Sequence, residues 1–255
     1  MKKVVLAFDS FKGCISAREA CEACAQGVCE AWQDAVIVQI PLSDGGEGLV
    51  ECVRRMLPTR SVTVEVHGPL MDRVEAEYAI SADGKPAYME IAAASGLTLV
   101  PQEQRNPMTA TTYGVGEMIA DAVKRGCQTI VMGIGGSATC DGGRGMIEAL
   151  GDCRCLDMDC RVIVACDVNN PLFGKNGADY VFAPQKGATP EQVELLDGRL
   201  RAFAKETEQT GRATPELALS PGAGAAGGLG YALLAYLNAE LHSGIDIMLD
   251  IADFD

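Results

Sequence analysis

Histidine is nearly missing from this sequence: His67 and His242 are the two in 255 residues. Aromatic residues make up only 5%, and 21 Lys and Arg face 35 Asp and Glu, leaving a formal charge of −14. No apolar run is long enough for a membrane span, and no G-x-x-x-x-G-K-[ST] string occurs. Each shortage excludes something. The acidic surplus repels nucleic acid phosphates and anionic membrane surfaces, so an anionic substrate needs local help from amides, a few cations or Mg²⁺. The missing spans exclude a transmembrane helix, and the missing string excludes the usual P-loop ATPase. With two histidines, the eleven cysteines lack the partners of a common zinc site. Cys21 and Cys24 form a C-x-x-C in a helical pattern beside Ala20 and Val28, where both are expected to pack as small apolar side chains. An odd cysteine count argues against disulfides. The opening Met1-Lys2-Lys3 is followed by too short an apolar run, cut by Asp9, for a signal peptide. A cytoplasmic chain is expected.

What the sequence does have is glycine in loops. Residues 129–145 start as a short apolar run, the pattern of a buried strand, and then break into Gly133, Gly135, Gly136, Gly142 and Gly143. Ser137, Thr139 and Asp141 stand between them. Such a turn lets backbone approach a ligand and leaves amides free for an anion, strengthened by a helix expected from about Arg144. A tight connection without a ligand is the plainer reading.

From the N-terminus, residues 3–8 read as a strand, Ser16-Ala17-Arg18-Glu19 as a capping box opening a helix, and residues 36–40 as a second strand. Two strand-loop-helix units in succession predict a parallel sheet with its site along the C-terminal edge, where Asp9, Lys12, Asp44 and Glu47 would converge. Singly, each also suits a cap or a solvated turn. Residues 62–66 and 74–80 then alternate as a hairpin, and residues 88–94 read as a small-residue strand. This antiparallel start marks a second domain inserted near residue 62. Further helices are expected over 112–125, closed by Gly126, from Thr189-Pro190, and from about Leu229. Two strings fit the dinucleotide fingerprint, Gly133-Ile134-Gly135-Gly136-Ser137-Ala138 with Asp157 and Asp159 downstream, and Gly222-Ala223-Gly224-Ala225-Ala226-Gly227 behind Pro221. They keep an NAD-type oxidoreductase among the readings.

Taken in order, the loops resemble a particular family. Asp9-Ser10-Phe11-Lys12-Gly13, Asp44-Gly45-Gly46-Glu47-Gly48, Arg105-Asn106-Pro107, Thr111-Thr112-Tyr113-Gly114, Gly135-Gly136-Ser137-Ala138-Thr139, Asp141-Gly142-Gly143, Ala165-Cys166-Asp167-Val168, Pro184-Gln185-Lys186-Gly187 and the glycine-rich residues 222–230 are similar to the bacterial glycerate kinases across nearly the whole chain. The resemblance implies an α/β fold, a Rossmann-like parallel-sheet domain (1–61 and 237–255) interrupted by an inserted α/β domain (62–236). It implies transfer of the ATP γ-phosphoryl group to D-glycerate, at the 2-hydroxyl, with Mg²⁺, and is compatible with a homodimer. Phosphoryl transfer rests on positioning and charge neutralisation. On that basis Lys12 contacts the transferring phosphate, Asp9 orients or deprotonates the attacking hydroxyl, and Asp44 and Glu47 hold Mg²⁺. Ser10 and the amides and hydroxyls of Gly135, Gly136, Ser137 and Thr139 bind substrate carboxylate or phosphate, with Asp141, Lys186 and Asp167 behind them. Departures from the family are Cys140 for asparagine, Ser43 for alanine, a shorter stretch between Gly151 and Arg161, and a halt at Asp255 before a later Gly-Glu-Gly-Arg-Leu-Asp motif. These put a catalytically inactive fragment among the readings.

Overall fold

The computed structural model describes residues 2–11, 14–151 and 160–253. Its main feature is a six-stranded sheet in the order β3 (Thr59–His67), β4 (Arg73–Ser81), β5 (Pro86–Glu90), β6 (Thr129–Gly133), β7 (Arg161–Ala165) and β8 (Glu240–His242). The β3–β4–β5 part is antiparallel, and β5 to β8 run parallel. A separate two-stranded parallel sheet pairs β1 (Lys3–Leu6) with β2 (Val36–Gln39).

The alternation of side chains explains why the large sheet is covered on both faces. Tyr78, Ile80, Ala87, Met89, Ile130, Met132, Val162 and Val164 point to one side, into the main core. There they meet α4 (Tyr113–Lys124), α5 (Arg144–Leu150), α7 (Pro190–Gln209) and α8 (Ala225–Leu237). The intervening Ala79, Tyr88, Val131 and Ala165 point the other way, onto α2 (Leu49–Met56) and α9 (Gly244–Ile251). Burying each such aliphatic side chain contributes roughly 1.5–3 kcal/mol, so truncating Ile130 or Met132 would cost about 2–5 kcal/mol. Ala17, from α1 (Ala17–Ala31), joins the α2/α9 cluster and ties the small sheet to the large one.

Local signals account for most boundaries. Ser16 and Glu19 form the reciprocal capping box on α1, and Thr189 with Gln192 does the same for α7, with Pro190 in its first turn. Gly126 ends α4 with φ 90° and its N–H on the Val123 carbonyl. Two expectations need correction, and a third holds with a detail added. The strand expected over 88–94 stops at Glu90, because Ala92–Ser95 turns into a short helix, α3. The regular part of α8 does start near Leu229, but Ala226, Gly227 and Gly228 before it are all left-handed. Cys21 is fully buried as expected, whereas Cys24 is exposed and contributes nothing to the core. In the fold itself β8 joins the large sheet, and the short helix α6 (Ala178–Phe182) lies against α7 and α8.

Candidate active site

The parallel strands deliver their C-terminal ends to one cleft, the usual ligand position in such sheets. The cleft has a volume of about 390 Å³, and four segments supply most of its polar lining, with Leu97, Phe182, Ala225 and Ala226 completing it. Asp44, Gly45 and Gly46 come from the loop after β2, and residues 134–137 from the loop after β6. Residues 165–168 leave β7, while Gln185 and Lys186 follow α6.

The loop after β2 lies backbone on backbone against the loop after β6. The Gly135 N–H donates to the Gly45 carbonyl at 3.2 Å. A Cβ added at Gly135 would sit 2.5 Å from the Gly46 Cα, and one at Gly133 would sit 2.6 Å from the Gly45 carbonyl oxygen. Glycine is needed at these positions for close approach. Gly136 differs: its φ is 72°, yet an added Cβ would meet only the Ala92 Cβ at 3.6 Å. The loop is then pinned from its other side, with the Ala138 N–H on the Ser95 carbonyl and the Leu97 N–H on the Gly136 carbonyl.

Lys186 is the buried cation of this wall. It is 2% exposed, and its Nζ donates to Ser137 Oγ at 2.8 Å and to the Thr139 carbonyl at 2.7 Å. Burial pushes its pKa down, opposed by Cys140, Asp179 and Asp141. A cation held by the loop's own hydroxyl and carbonyl gives the wall a fixed positive end.

The acidic residues divide. Asp44 and Asp167 both line the cleft. Asp44 Oδ1 accepts the Gly46 N–H at 2.9 Å, and Asp167 Oδ1 accepts the Gly244 N–H at the start of α9 at 3.1 Å. Asp9 stands one step behind, its Oδ2 accepting the Asp44 N–H at 3.2 Å and its Oδ1 the Ser10 N–H at 2.6 Å. It is placed to clamp the β1 and β2 loops together. Glu47 is exposed and faces two neighbouring hollows, one of them shared with Ser10, so neither lines the cleft with Asp44. Lys12 lies outside the described residues.

Asp141 is a correction of another kind. Its Oδ2 accepts the Thr112 N–H and hydroxyl, both at 2.8 Å, and the Gly145 N–H at 3.1 Å, while Oδ1 accepts the Gly143 N–H at 3.0 Å. It therefore caps α5 and ties it to α4. The α5 N-terminus expected to strengthen an anion site spends these amides on Asp141, away from the cleft. The dinucleotide fingerprints fail on the same geometry. Residues 133–138 lead into no helix: Ser137 is bridged to Gly96, and α5 begins only at Arg144, after the Gly142–Gly143 turn. The second string opens α8 with no strand before it. Asp157 and Asp159 lie outside the described residues.

The sequence matches the description "Glycerate kinase family" over residues 4–159 and 152–255. The chain belongs to the glycerate kinase family. It is 43% identical to the glycerate 2-kinase of Escherichia coli K12 over 273 positions, covering 96% of this chain and 71% of that protein. A Bacillus subtilis glycerate kinase is 42% identical, over 99% of this chain and 73% of its own length. A crystal structure from Salmonella typhimurium LT2, provisionally described as glycerate kinase 2, superposes with a TM-score of 0.85 at 44% identity, covering 99% of this chain and 74% of that one. The chain thus has the family's α/β fold and is a small-molecule kinase of the ATP-dependent class. The two family matches overlap on 152–159. An alignment with the Halalkalibacterium halodurans glycerate kinase also needs 281 positions for all of this chain. The overlap of the family matches agrees with a stretch between Gly151 and Arg161 shorter than in the family, and the alignment length agrees with gaps somewhere in this chain.

Among glycerate kinase motifs, the loops after β2, β6 and β7 and the Pro184-Gln185-Lys186-Gly187 turn meet at the cleft, while Asp141-Gly142-Gly143 and Thr111-Thr112 meet each other behind it. Two residues escaped the sequence. Glu90, at the end of β5, accepts the Gly48 N–H at 3.2 Å and the Val50 N–H at 2.8 Å, capping α2 from a different sheet. Asp179 on α6 is fully buried with neither carboxylate oxygen partnered. Neither stands in a motif, since only the third dimension puts them beside the site.

Proposed function

We propose that this chain transfers the γ-phosphoryl group of ATP to the 2-hydroxyl of D-glycerate, giving 2-phosphoglycerate. The observation that carries this reading is the cleft itself: a buried ammonium on a serine hydroxyl and two carboxylates share its lining, at the C-terminal ends of parallel strands. In that reading Ser137 and the Gly136 backbone receive the substrate carboxylate or a phosphate oxygen, with the Lys186 charge behind them. Charge-assisted contacts of this sort are worth roughly 1.5–3 kcal/mol each. In the same reading Asp44 or Asp167 orients the attacking hydroxyl and takes its proton as the new O–P bond forms and the bond to the departing ADP breaks. Asp9 keeps Asp44 in place, and Lys12 belongs to the same loop as Asp9.

The donor set fits Mg²⁺ in part. This ion takes one or two carboxylates and completes its shell with phosphate oxygens and water. Asp44 with Asp167 is the pair that lines the cleft, whereas Glu47 is turned to its neighbours. Among the described residues no three His, Cys, Asp or Glu side chains gather into a site of their own. When bound, the ion would neutralise phosphate charge. A cytoplasmic setting, in which the free cysteines stay reduced, suits the reading, and no described helix is long and apolar enough to cross a membrane. The dinucleotide alternative has no observation left in its favour.

The experiment is turnover of D-glycerate with ATP, with and without excess chelator, and with the product resolved by NMR. The expected result is metal-dependent formation of 2-phosphoglycerate. Exclusive 3-phosphoglycerate would overturn the assignment of the hydroxyl, and NAD-dependent oxidation or no turnover would overturn the reading.

A further inference from the structure

Behind the cleft wall lies a group of buried polar atoms that no contact so far described uses. Asp179 is 0% exposed, and both of its carboxylate oxygens lack hydrogen-bond partners among the described residues. Thr139 Oγ1 is buried and equally unpartnered, although the carbonyl of the same residue holds the Lys186 ammonium. The short helix carrying Asp179 runs directly into the Pro184–Lys186 turn, so carboxylate and ammonium belong to one compact stretch. Cys140 is buried beside both of them: its thiol is the one weak donor facing Asp179, and it acts electrostatically on Lys186.

A buried carboxylate without donors is costly, by several kcal/mol for an isolated ion. Folds rid themselves of such groups unless a charge nearby depends on them. The charge nearby is Lys186, whose own contacts are one hydroxyl and one carbonyl, neither bearing a negative charge.

We propose that Asp179 is a positioning residue for the reaction: its buried carboxylate keeps Lys186 charged and seated against Ser137 and Thr139, and thereby sets the positive potential that the cleft offers an anionic substrate. The two do not touch as an ion pair; they act through a poorly screened interior, where a unit charge reaches further than in water. The groups facing Lys186 are Cys140, Asp179 and Asp141, and those facing Asp179 are Cys140, Lys186 and Asp197. Burial pushes the Asp179 carboxyl up to about 6, with the Cys140 thiol and the Lys186 charge pulling it down and Asp197 pushing it further up. The site therefore has a working window, bounded below by protonation of Asp179 and above by loss of the Lys186 proton.

The activity arm of the test rests on the kinase reading. Asp179→Asn keeps the shape and removes the charge. It lowers the Lys186 pKa further, so the alkaline fall of kcat/KM for D-glycerate moves to lower pH by about one unit. A residue with a merely structural role would reduce stability and leave that limb where it is. An unmoved limb overturns the proposal. The second arm needs no turnover and no Asp179 variant. The Asp179 carboxyl carbon is titrated by NMR in the wild-type protein and in Lys186→Gln, and its midpoint should rise by about one unit when the ammonium is gone. An unchanged midpoint shows that the two groups do not sense each other and overturns the proposal. A wild-type protein inactive on D-glycerate but with this reciprocal shift would sink the substrate assignment and leave the Asp179–Lys186 coupling standing.

Discussion

Asp141 and Asp179 flank the same lysine and could hardly be treated more differently by the fold. Asp141 is saturated, with two backbone amides of the α5 turn and the amide and hydroxyl of Thr112 on its carboxylate. Asp179 has none. A carboxylate ringed by donors is a fastener, since its charge is consumed where it sits. One buried without donors keeps its field and projects it. The contrast separates scaffold from site in a chain where both residues lie beside glycine-rich motifs.

The sharpest way to break this contrast is at the lysine between them. Lys186→Met removes two charge-assisted hydrogen bonds and the cleft's buried cation, and should lower kcat/KM for D-glycerate by about a thousandfold. A loss under tenfold would make Lys186 a structural strut. Next in size, Asp141→Ala strands the Thr112 hydroxyl and the α5 amides, and should cost about 3 kcal/mol in urea unfolding. Its KM should stay close to that of the parent. If stability holds and KM rises, Asp141 belongs to the site after all.

Ser137→Ala should lose about ten- to a hundredfold in kcat/KM with little change in Tm. The neighbouring glycines sharpen that result. Gly135→Ala drives a methyl into the Gly46 backbone and should abolish activity together with a clear drop in Tm. Gly136→Ala makes only an ordinary contact with the Ala92 Cβ at 3.6 Å and costs only its positive φ, about 1 kcal/mol. Comparable damage from both would mean that the Gly45–Gly135 contact is not what shapes the wall.

The smallest effect is in pH. The folded-state pKa of Asp179 is raised to about 6, above its unfolded value, so the native chain binds the extra proton. Stability from this group is present below about pH 4 and is lost as pH rises towards about 6. Asp179→Asn should flatten the wild-type decline in Tm across that window. An identical slope in both proteins would mean that the carboxyl titrates normally and is not buried without partners in solution.

Much of this was legible in the chain. The capping boxes at Ser16 and Thr189, the Gly126 stop, the hairpin and the run of strand-end loops are local signals, and each is decided within a few residues. The motifs that meet at the cleft were also named, because glycine next to Ser, Asp or Lys at a strand end reads the same in sequence and in space. What could not be read is orientation. Nothing in Asp44-Gly45-Gly46-Glu47-Gly48 says that Asp44 turns to the cleft and Glu47 to solvent, since the left-handed Gly45 and Gly48 set that twist. Nor does Asp141-Gly142-Gly143 reveal that its carboxylate serves Thr112, 29 residues earlier. Asp179 had no signal at all, because burial without partners is a property of the assembled fold.

The glycine-on-glycine seam between residues 45–46 and 133–135 also bears on the order of assembly. A two-stranded sheet with one helix cannot hold itself together in water, so the β1–α1–β2 unit has to borrow its order from the larger sheet. The seam closes contacts across roughly ninety residues and leaves no room for a side chain to act as an intermediate latch. It should therefore zip late in folding and part early in unfolding. Lys186 and Ser137 would then already be in place while Asp44 is still adrift, and a brief opening of the seam would dismantle one wall of the cleft and spare the other. Native-state hydrogen exchange at the Gly135 amide should report that opening well before the strands of the large sheet give way.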